Sequence, residues 1–327
     1  MSGGLDSALA AALVKRLGFE VVGLNLSTGF CTGEGRCDAV IAQGLALDIP
    51  VRLWDVSEEY LEVVKHPRFG RGQGMNPCLD CRIFMVKKAR ELMEKEGASF
   101  VVTGEVLGQR PMSQHLGALE LVARESGLGE RLVRPLSGRL LGPTFPERMG
   151  WVHREDWLDL QGRSRKRQLE LAKEWGIPTF TPPAGGCCLL LERAYAKRLR
   201  DLICEKGVDS LTKEDFSLLR YGRHFRLGPR TRVVVGRDEL ENSVLLSFPG
   251  DHYVLNFPDV PGPVALVLGE VGEEDLRQAA ELAARYSDAQ EGSLVWVIAQ
   301  RAGKVQELWV TPWSKDDPRL RKLRVDR

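Results

Sequence analysis

The sequence predicts two domains: an α/β domain over residues 1–180, a parallel sheet with helices on both faces, and a smaller α+β domain over 229–327. A cysteine-containing, basic segment, 181–228, is expected to join them. Three observations lead there. Helix-period and strand-like segments alternate through the first half, which is the pattern of parallel sheets with crossover helices. In the second half they give way to short strands broken by turns. The length of 327 residues also exceeds the roughly 100–200 that one domain usually takes.

In chain order, residues 8–17 (ALAAALVKRL) suit a helix and 19–26 (FEVVGLNL) a buried strand. Residues 38–47 read as a helix, 51–56 (VRLWDV) as a strand, 83–96 as a long charged helix and 99–103 (SFVVT) as a third strand ending at Gly104. A helix over 168–175 precedes the turn-forming stretch 181–186 (TPPAGG). Beyond it, 193–206 is a basic helix and 220–232 a basic connector. Short strands are expected at 231–235, 243–248, 252–257 and 264–268. A helix follows at 273–286, and then a hairpin from 294–300 and 305–311.

Composition narrows the class. Hydrophobic content of 43% and charged content of 28% are those of an ordinary globular protein. The 46 Lys and Arg nearly balance 45 Asp and Glu, so a nucleic-acid partner would be held by local basic patches. Such patches are expected at Arg163–Arg167, at Lys197–Arg200, among Arg220, Arg223, Arg226, Arg230 and Arg232, and at Arg319–Arg327. No apolar run reaches the ~18 residues of a membrane span, and the chain opens on a polar glycine loop without a signal peptide. The expected location is cytoplasmic. Seven cysteines, an odd number, argue against a disulfide framework and for ligands or reactive thiols. The five histidines show no metal-binding spacing.

Ser2-Gly3-Gly4-Leu5-Asp6-Ser7 runs directly into the first helix. Two glycines let consecutive N–H groups converge on one anion, and the helix start adds about half a positive charge there. Ser2 and Ser7 offer hydroxyls, and Asp6 offers a carboxylate for a Mg²⁺ shared with phosphate. The motif resembles the pyrophosphate loop of PP-loop ATPases, which cleave ATP to AMP and pyrophosphate. It is neither a Walker A loop nor a dinucleotide fingerprint. The resemblance implies an adenine-nucleotide alpha-hydrolase-like sheet. In that family a hydrophobic strand precedes the loop, whereas only Met1 precedes Ser2, so the first, central strand is expected to be missing from this chain.

Thr103-Gly104-Glu105-Val106-Leu107-Gly108-Gln109, continuing to Ser113-Gln114, follows the third strand and resembles a run in tRNA 4-thiouridine synthases. It implies that Thr103, Gly104 and Gln109 contact the nucleotide or the activated base. Asn76-Pro77-Cys78-Leu79-Asp80-Cys81 is similar to the NPCxxC of tRNA 2-thiouridine synthases. At a helix start, such a CxxC favours thiolate. Some 4-thiouridine synthases pair a CxxC with a distant cysteine to hold an iron–sulfur cluster. Carried over, this makes Cys78, Cys81 and Cys187 ligands of a [4Fe-4S] cluster, with Cys188 the alternative third ligand. A persulfide pair without metal and a zinc site are competing readings. Cys31 and Cys37 are candidate accessory sulfur relays.

Residues 235–242 (VGRDELEN), with the helix ending Ala284-Arg285-Tyr286-Ser287, resemble the RNA-binding domain of the NFACT family. Together the resemblances imply an ATP-dependent tRNA sulfurtransferase that adenylates a uridine carbonyl and replaces oxygen with sulfur, more at the 4- than the 2-position. Cys78, Cys81, Cys187 and Asp6 would be the catalytic residues. Sulfur would come from a cysteine desulfurase persulfide or from inorganic sulfide. An amide-forming PP-loop ligase, a small-molecule sulfur insertase and an inactive RNA-binding protein are the alternatives.

Overall fold

The computed structural model describes residues 1–32, 36–177, 180 and 187–327. The chain divides into two compact units, Met1–Leu191 and Glu192–Arg327. Residues 181–186 lie outside the described part.

The first unit runs α1 (Leu5–Arg16), β1 (Gly23–Ser27), α2 (Arg36–Ala46), β2 (Val51–Asp55), α3 (Ser57–Lys65), α4 (Cys78–Lys95), β3 (Val101–Val102), α5 (Leu116–Glu125), β4 (Leu132–Val133), α6 (Phe145–Arg148) and α7 (Lys166–Glu174). All strand pairing in it is parallel, as alternation of helix and strand requires. β1 pairs with β2 from Gly23 opposite Val51, and β3 with β4 from Val101 opposite Leu132. Among the described residues these remain two separate pairs, with no strand hydrogen-bonded between them. Met1 lies alongside β1: its amino group donates to the Leu24 carbonyl, and Asn25 Nδ2 donates to the Met1 carbonyl at 2.9 Å. α1 is alanine- and leucine-rich and buries Ala8, Leu9 and Ala12 against Leu136, Leu171 and Ile177. This packing fixes the helix whose start carries the glycine loop. α4 begins at Cys78, earlier than its charged stretch suggested, because the Pro77 carbonyl accepts from Cys81 N at 2.8 Å. Ile83, Val86 and Met93 anchor it against Val101 and Val122.

The second unit comprises α8 (Arg193–Lys206), α9 (Lys213–Leu218), β5 (Arg223–Arg226), β6 (Thr231–Val235), α10 (Glu239–Leu246), β7 (Tyr253–Asn256), β8 (Ala265–Gly269), α11 (Glu273–Ala284), β9 (Val295–Arg301), β10 (Lys304–Val310) and α12 (Pro318–Leu323). Its sheet is antiparallel, in the order β10-β9-β7-β8-β6-β5. Val233, Val235, Leu255 and Val267 face α11, while Val234 and Leu266 face Leu218 and Leu245 on the other side.

Two local expectations are corrected. Residues 243–248 were expected as a strand but fall largely in α10, because the Asp238 carboxylate caps the helix, accepting from Glu241 N at 3.0 Å. Residues 220–232 were expected as a connector, yet they supply edge strand β5 and the start of β6. Their arginines are largely committed to internal pairs. Arg226 meets Asp201 and Glu205, and Arg232 is 2% exposed beside Asp215. Arg198, from the neighbouring basic helix, is buried against Asp326 and donates to the Leu219 and Gly222 carbonyls at 2.8 and 2.9 Å.

Candidate functional site

The glycine loop turns tightly before α1. Gly3 has φ +74°, a left-handed conformation that suits glycine, and its carbonyl accepts from Gln43 Nε2 at 3.4 Å. Ser7 Oγ donates to the Gly4 carbonyl at 2.9 Å and accepts from Ser2 N at 3.2 Å, which closes the turn. Gly4 caps α1 without any side-chain hydrogen bond, so no cap occupies the helix's leading N–H groups and they stay oriented for an anion.

Asp6 stands in the first turn. Its Oδ2 accepts from Gln109 Nε2 at 3.1 Å and lies 3.8 Å from Arg165 Nη2. Its Oδ1 is buried and lacks a hydrogen-bond partner. A buried carboxylate oxygen without a partner, beside a phosphate-sized turn, fits a Mg²⁺ ion shared with a polyphosphate. Gly104 closes over the same place. A Cβ there would stand 2.5 Å from the Asp6 carbonyl and 2.7 Å from Ser7 N, so only glycine permits the approach. Ser2, Gly3, Gly4, Asp6, Ser7, Gly104 and Gln109 thus converge. Thr103 does not join them, since its hydroxyl donates to Glu105 Oε2 at 3.1 Å.

The thiols form a second cluster in the same unit. Cys78 and Cys81 lie in the first turn of α4, and Cys187 and Cys188 are held nearby by backbone bonds. Leu189 N donates to the Phe30 carbonyl at 2.8 Å, and Met75 N donates to the Leu190 carbonyl at 2.9 Å. The buried Asn76 amide donates to Cys78 Sγ at 2.9 Å. Burial pushes the Cys78 thiol above its ordinary range, against the pull of Asn76, Arg82 and Arg110. Burial raises Cys81 to about 11, although the Tyr60 hydroxyl is hydrogen-bonded to it. Cys187 goes the other way. A hydrogen bond from the Cys188 thiol, with Arg110 and Arg82 close by, outweighs burial and holds its thiol well below the usual range. Cys188 is raised correspondingly. Of the clustered thiols, Cys187 is thus the one whose surroundings favour the thiolate, whereas burial disfavours it at Cys78 and Cys81.

The expected [4Fe-4S] cluster on Cys78, Cys81 and Cys187 (or Cys188) finds no support in the arrangement of the described residues. Among the described residues no group of three or more His, Cys, Asp or Glu side chains is disposed to hold a metal ion. Instead the thiols carry hydrogen bonds of their own: Asn76 engages Cys78, Tyr60 engages Cys81, and Cys188 engages Cys187. Cys31 is a half-buried free thiol, Cys204 is exposed, and the Cys37 side chain lies outside the described residues.

Four residues at the candidate site were given no role from the sequence: Glu105, inside a quoted motif, and Arg82, Arg110 and Tyr60, outside the motifs. Glu105, 2% exposed, accepts from Arg134 Nε at 2.9 Å and pairs with Arg82 at 3.6 Å. Burial would raise its pKa, but the two guanidinium groups hold it below the ordinary carboxylate range. Arg82 and Arg110 bring positive charge to the thiols, and Tyr60 packs against Cys81. The signal for both arginines was adjacency, because each follows a motif by one residue. Tyr60 carried none.

Fold and site define an α/β nucleotide-loop domain with an adjoining thiol cluster, followed by an antiparallel-sheet domain. Residues 1–139 match the family described as Thiamine biosynthesis protein (ThiI), and residues 222–319 match the NFACT protein RNA binding domain. Two family models thus match separate parts of the chain, a ThiI-type PP-loop domain in the first unit and an NFACT-type RNA-binding domain in the second. The tRNA-specific 2-thiouridylase MnmA of Dichelobacter nodosus is 24% identical over 283 residues, covering 78% of this chain and 72% of the relative. That of Marinobacter nauticus is 25% identical over 331 residues, 88% and 78% of the two chains. The MnmA of Tropheryma whipplei reaches 40% over 92 residues, a quarter of each chain. A solved structure, the C-terminal of the fibronectin/fibrinogen-binding protein from Streptococcus suis, aligns over 76% of this chain and 94% of its own at 15% identity and a TM-score of 0.28. No helix among the described residues is long and apolar enough to cross a membrane.

Proposed function

We propose that this chain replaces a uridine carbonyl oxygen in tRNA with sulfur at the expense of ATP. One observation carries the reading. The segment from Gly104 to Arg110 touches the nucleotide loop through Gly104 and Gln109. It also reaches the thiols, through Glu105 acting on Arg82 and through Arg110. A reaction that activates a carbon and then delivers sulfur to it needs both sites beside one substrate atom.

The uracil oxygen attacks the α-phosphate of ATP, and pyrophosphate leaves into the turn formed by Ser2, Gly3, Gly4 and Ser7. A Mg²⁺ ion on Asp6 would offset the charge of the departing pyrophosphate. Cys187, the thiolate of the cluster, receives sulfur from a persulfide-bearing donor such as a cysteine desulfurase, and its terminal sulfur attacks the adenylated carbon as AMP leaves. Cys78 then attacks Cys187 Sγ. This frees the thiocarbonyl and forms a disulfide, which an external dithiol reduces. Inorganic sulfide, attacking the carbon directly, is the simpler alternative donor.

The relatives' names support the 2-position, and the 103–114 run, similar to 4-thiouridine synthases, supports the 4-position as a second reading. Mass spectrometry of tRNA nucleosides from a deletion strain decides between them, because one thiouridine should vanish. Unchanged nucleosides, or ADP and phosphate as products of ATP in vitro, would overturn the reading.

A further inference from the structure

The second unit gathers six cations, Arg223, Arg285, Lys315, Arg321, Arg324 and Arg327, around one cleft that only two acids line, with Arg324 also paired to Asp326. A cleft of about 220 Å³ lies between β5, the end of α11 and the C-terminal segment. Two of its guanidinium groups stand over one ring, Arg223 at 4.7 Å and Arg285 at 5.2 Å from the centre of Tyr286. Arg285 Nε is buried without a hydrogen-bond partner. Like charges converging on a buried, unsatisfied donor raise the energy of the empty cleft, and an anion relieves it. Lys315, Arg321 and Arg327 line the same cleft, and among the described residues no acidic side chain pairs with them. Its two lining acids are Asp316 and Asp317, and Asp317 is engaged by Arg319.

A second cleft, of about 400 Å³, shares Arg324 as a wall with the first. Lys197 and Lys322 line it, and its single acid, Asp201, is taken by Arg226. A free phosphate needs one such cleft, whereas a polyanion with regularly spaced charges fills two neighbours. We propose that the clefts on either side of Arg324 hold successive phosphates of an RNA backbone. This rests on the RNA-directed reading above and deepens it. Arg321, Lys322, Arg324 and Arg327 lie beyond residues 222–319, so this surface extends past the matched RNA-binding domain.

The test uses the full chain, with tRNA binding followed by fluorescence anisotropy across a salt titration. Arg321→Ala removes an exposed cation from the first cleft and Lys322→Ala one from the second. Arg277→Ala removes an exposed cation of α11 that lines neither. Removing the cation that neutralises one phosphate should flatten the log–log slope by about 0.7–0.9 and so weaken binding about five- to eight-fold at 0.1 M salt, relative to any difference at 1 M. Arg277→Ala should change binding less than two-fold, and Arg321→Lys should restore the slope. An equal loss of affinity in Arg277→Ala would mean that only net charge matters, and would overturn the proposal. So would unchanged slopes in both cleft variants. Inorganic phosphate should compete no better than chloride at matched ionic strength; saturable, Arg321-dependent phosphate binding with tRNA affinity unchanged would assign the cleft to free phosphate instead. Wild-type chain that thiolates tRNA, with both cleft variants leaving these slopes unaffected, sinks the clefts alone. Variants that behave as expected while no thiouridine is made sink only the catalytic reading.

Discussion

Glu105→Gln tests the ion-pair bridge between the nucleotide loop and the thiols. The carboxylate is 2% exposed and lies between Arg134, 6% exposed, and Arg82. Gln keeps the shape and one acceptor but removes the charge, leaving Arg134 buried with only the Leu119 carbonyl, 2.9 Å from its Nη2, as a firm partner. Stranding a buried cation costs about 3–5 kcal/mol. For a unit the length of Met1–Leu191, about 2–4 °C per kcal/mol puts the fall in Tm on the order of 10 °C. The pH dependence has a definite sign. Glu105 titrates below its unfolded value of about 4.3, so its contribution is complete above that pH and is lost as pH falls through the lower folded value. The gap between wild type and variant, read by thermal denaturation monitored by circular dichroism, should be full at pH 7 and close below pH ~4. A variant within 2 °C of wild type at pH 7, or a gap that persists undiminished into acid, would refute the bridge.

Asp6→Ala should slow the release of AMP and pyrophosphate by roughly 10²-fold or more, through lost charge stabilisation at the leaving group; product analysis by chromatography reads this directly. Gly104→Ala places a Cβ 2.5 Å from the Asp6 backbone, so nucleotide affinity measured by calorimetry should fall at least about ten-fold even though the substitution is far smaller than the loop. At pH 7, iodoacetamide should label Cys187 first, Cys78 more slowly and Cys81, raised to about 11, least, as peptide mass spectrometry would resolve. Asn76→Ala removes the hydrogen bond that lowers the Cys78 pKa, so Cys78 labelling should slow further while Cys187 labelling holds.

The nucleotide loop was legible because its chemistry is local. Two glycines, two hydroxyls and a carboxylate within six positions, running into a helix, leave little else for the backbone to do. The hairpin of β9 and β10 was readable for the same reason, since its register depends on a tight turn between alternating strands. The arginines were misjudged because charge partners are non-local. Arg198 looks like a surface cation until its acid arrives from Asp326, 128 positions away, and Arg226 until Asp201 arrives from a helix 25 positions upstream. α10 was misread because an apolar run at 244–246 imitates a strand, while the deciding group, the Asp238 cap, stands six residues ahead of it. Tyr60 against Cys81 had no signal at all, since an aromatic residue in an amphipathic helix is ordinarily just core.

The proposed sulfur insertion poses a timing problem, and one segment of the candidate site bears on it. An adenylated carbonyl is exposed to water, so the thiolate has to be in place before activation rather than recruited afterwards. Gly104 can lie against the loop only because it lacks a side chain, and the next residue, Glu105, turns away from the loop to meet Arg82. Gln109 turns back to Asp6, and Arg110 turns away to Cys187. Adjacent residues thus point alternately at the two halves of the reaction. The charges follow the same division. Arg82 and Arg110 favour the anionic sulfur of Cys187, whereas the buried Asp6 oxygen calls for a cation, so negative charge is drawn to the thiol side and metal to the phosphate side.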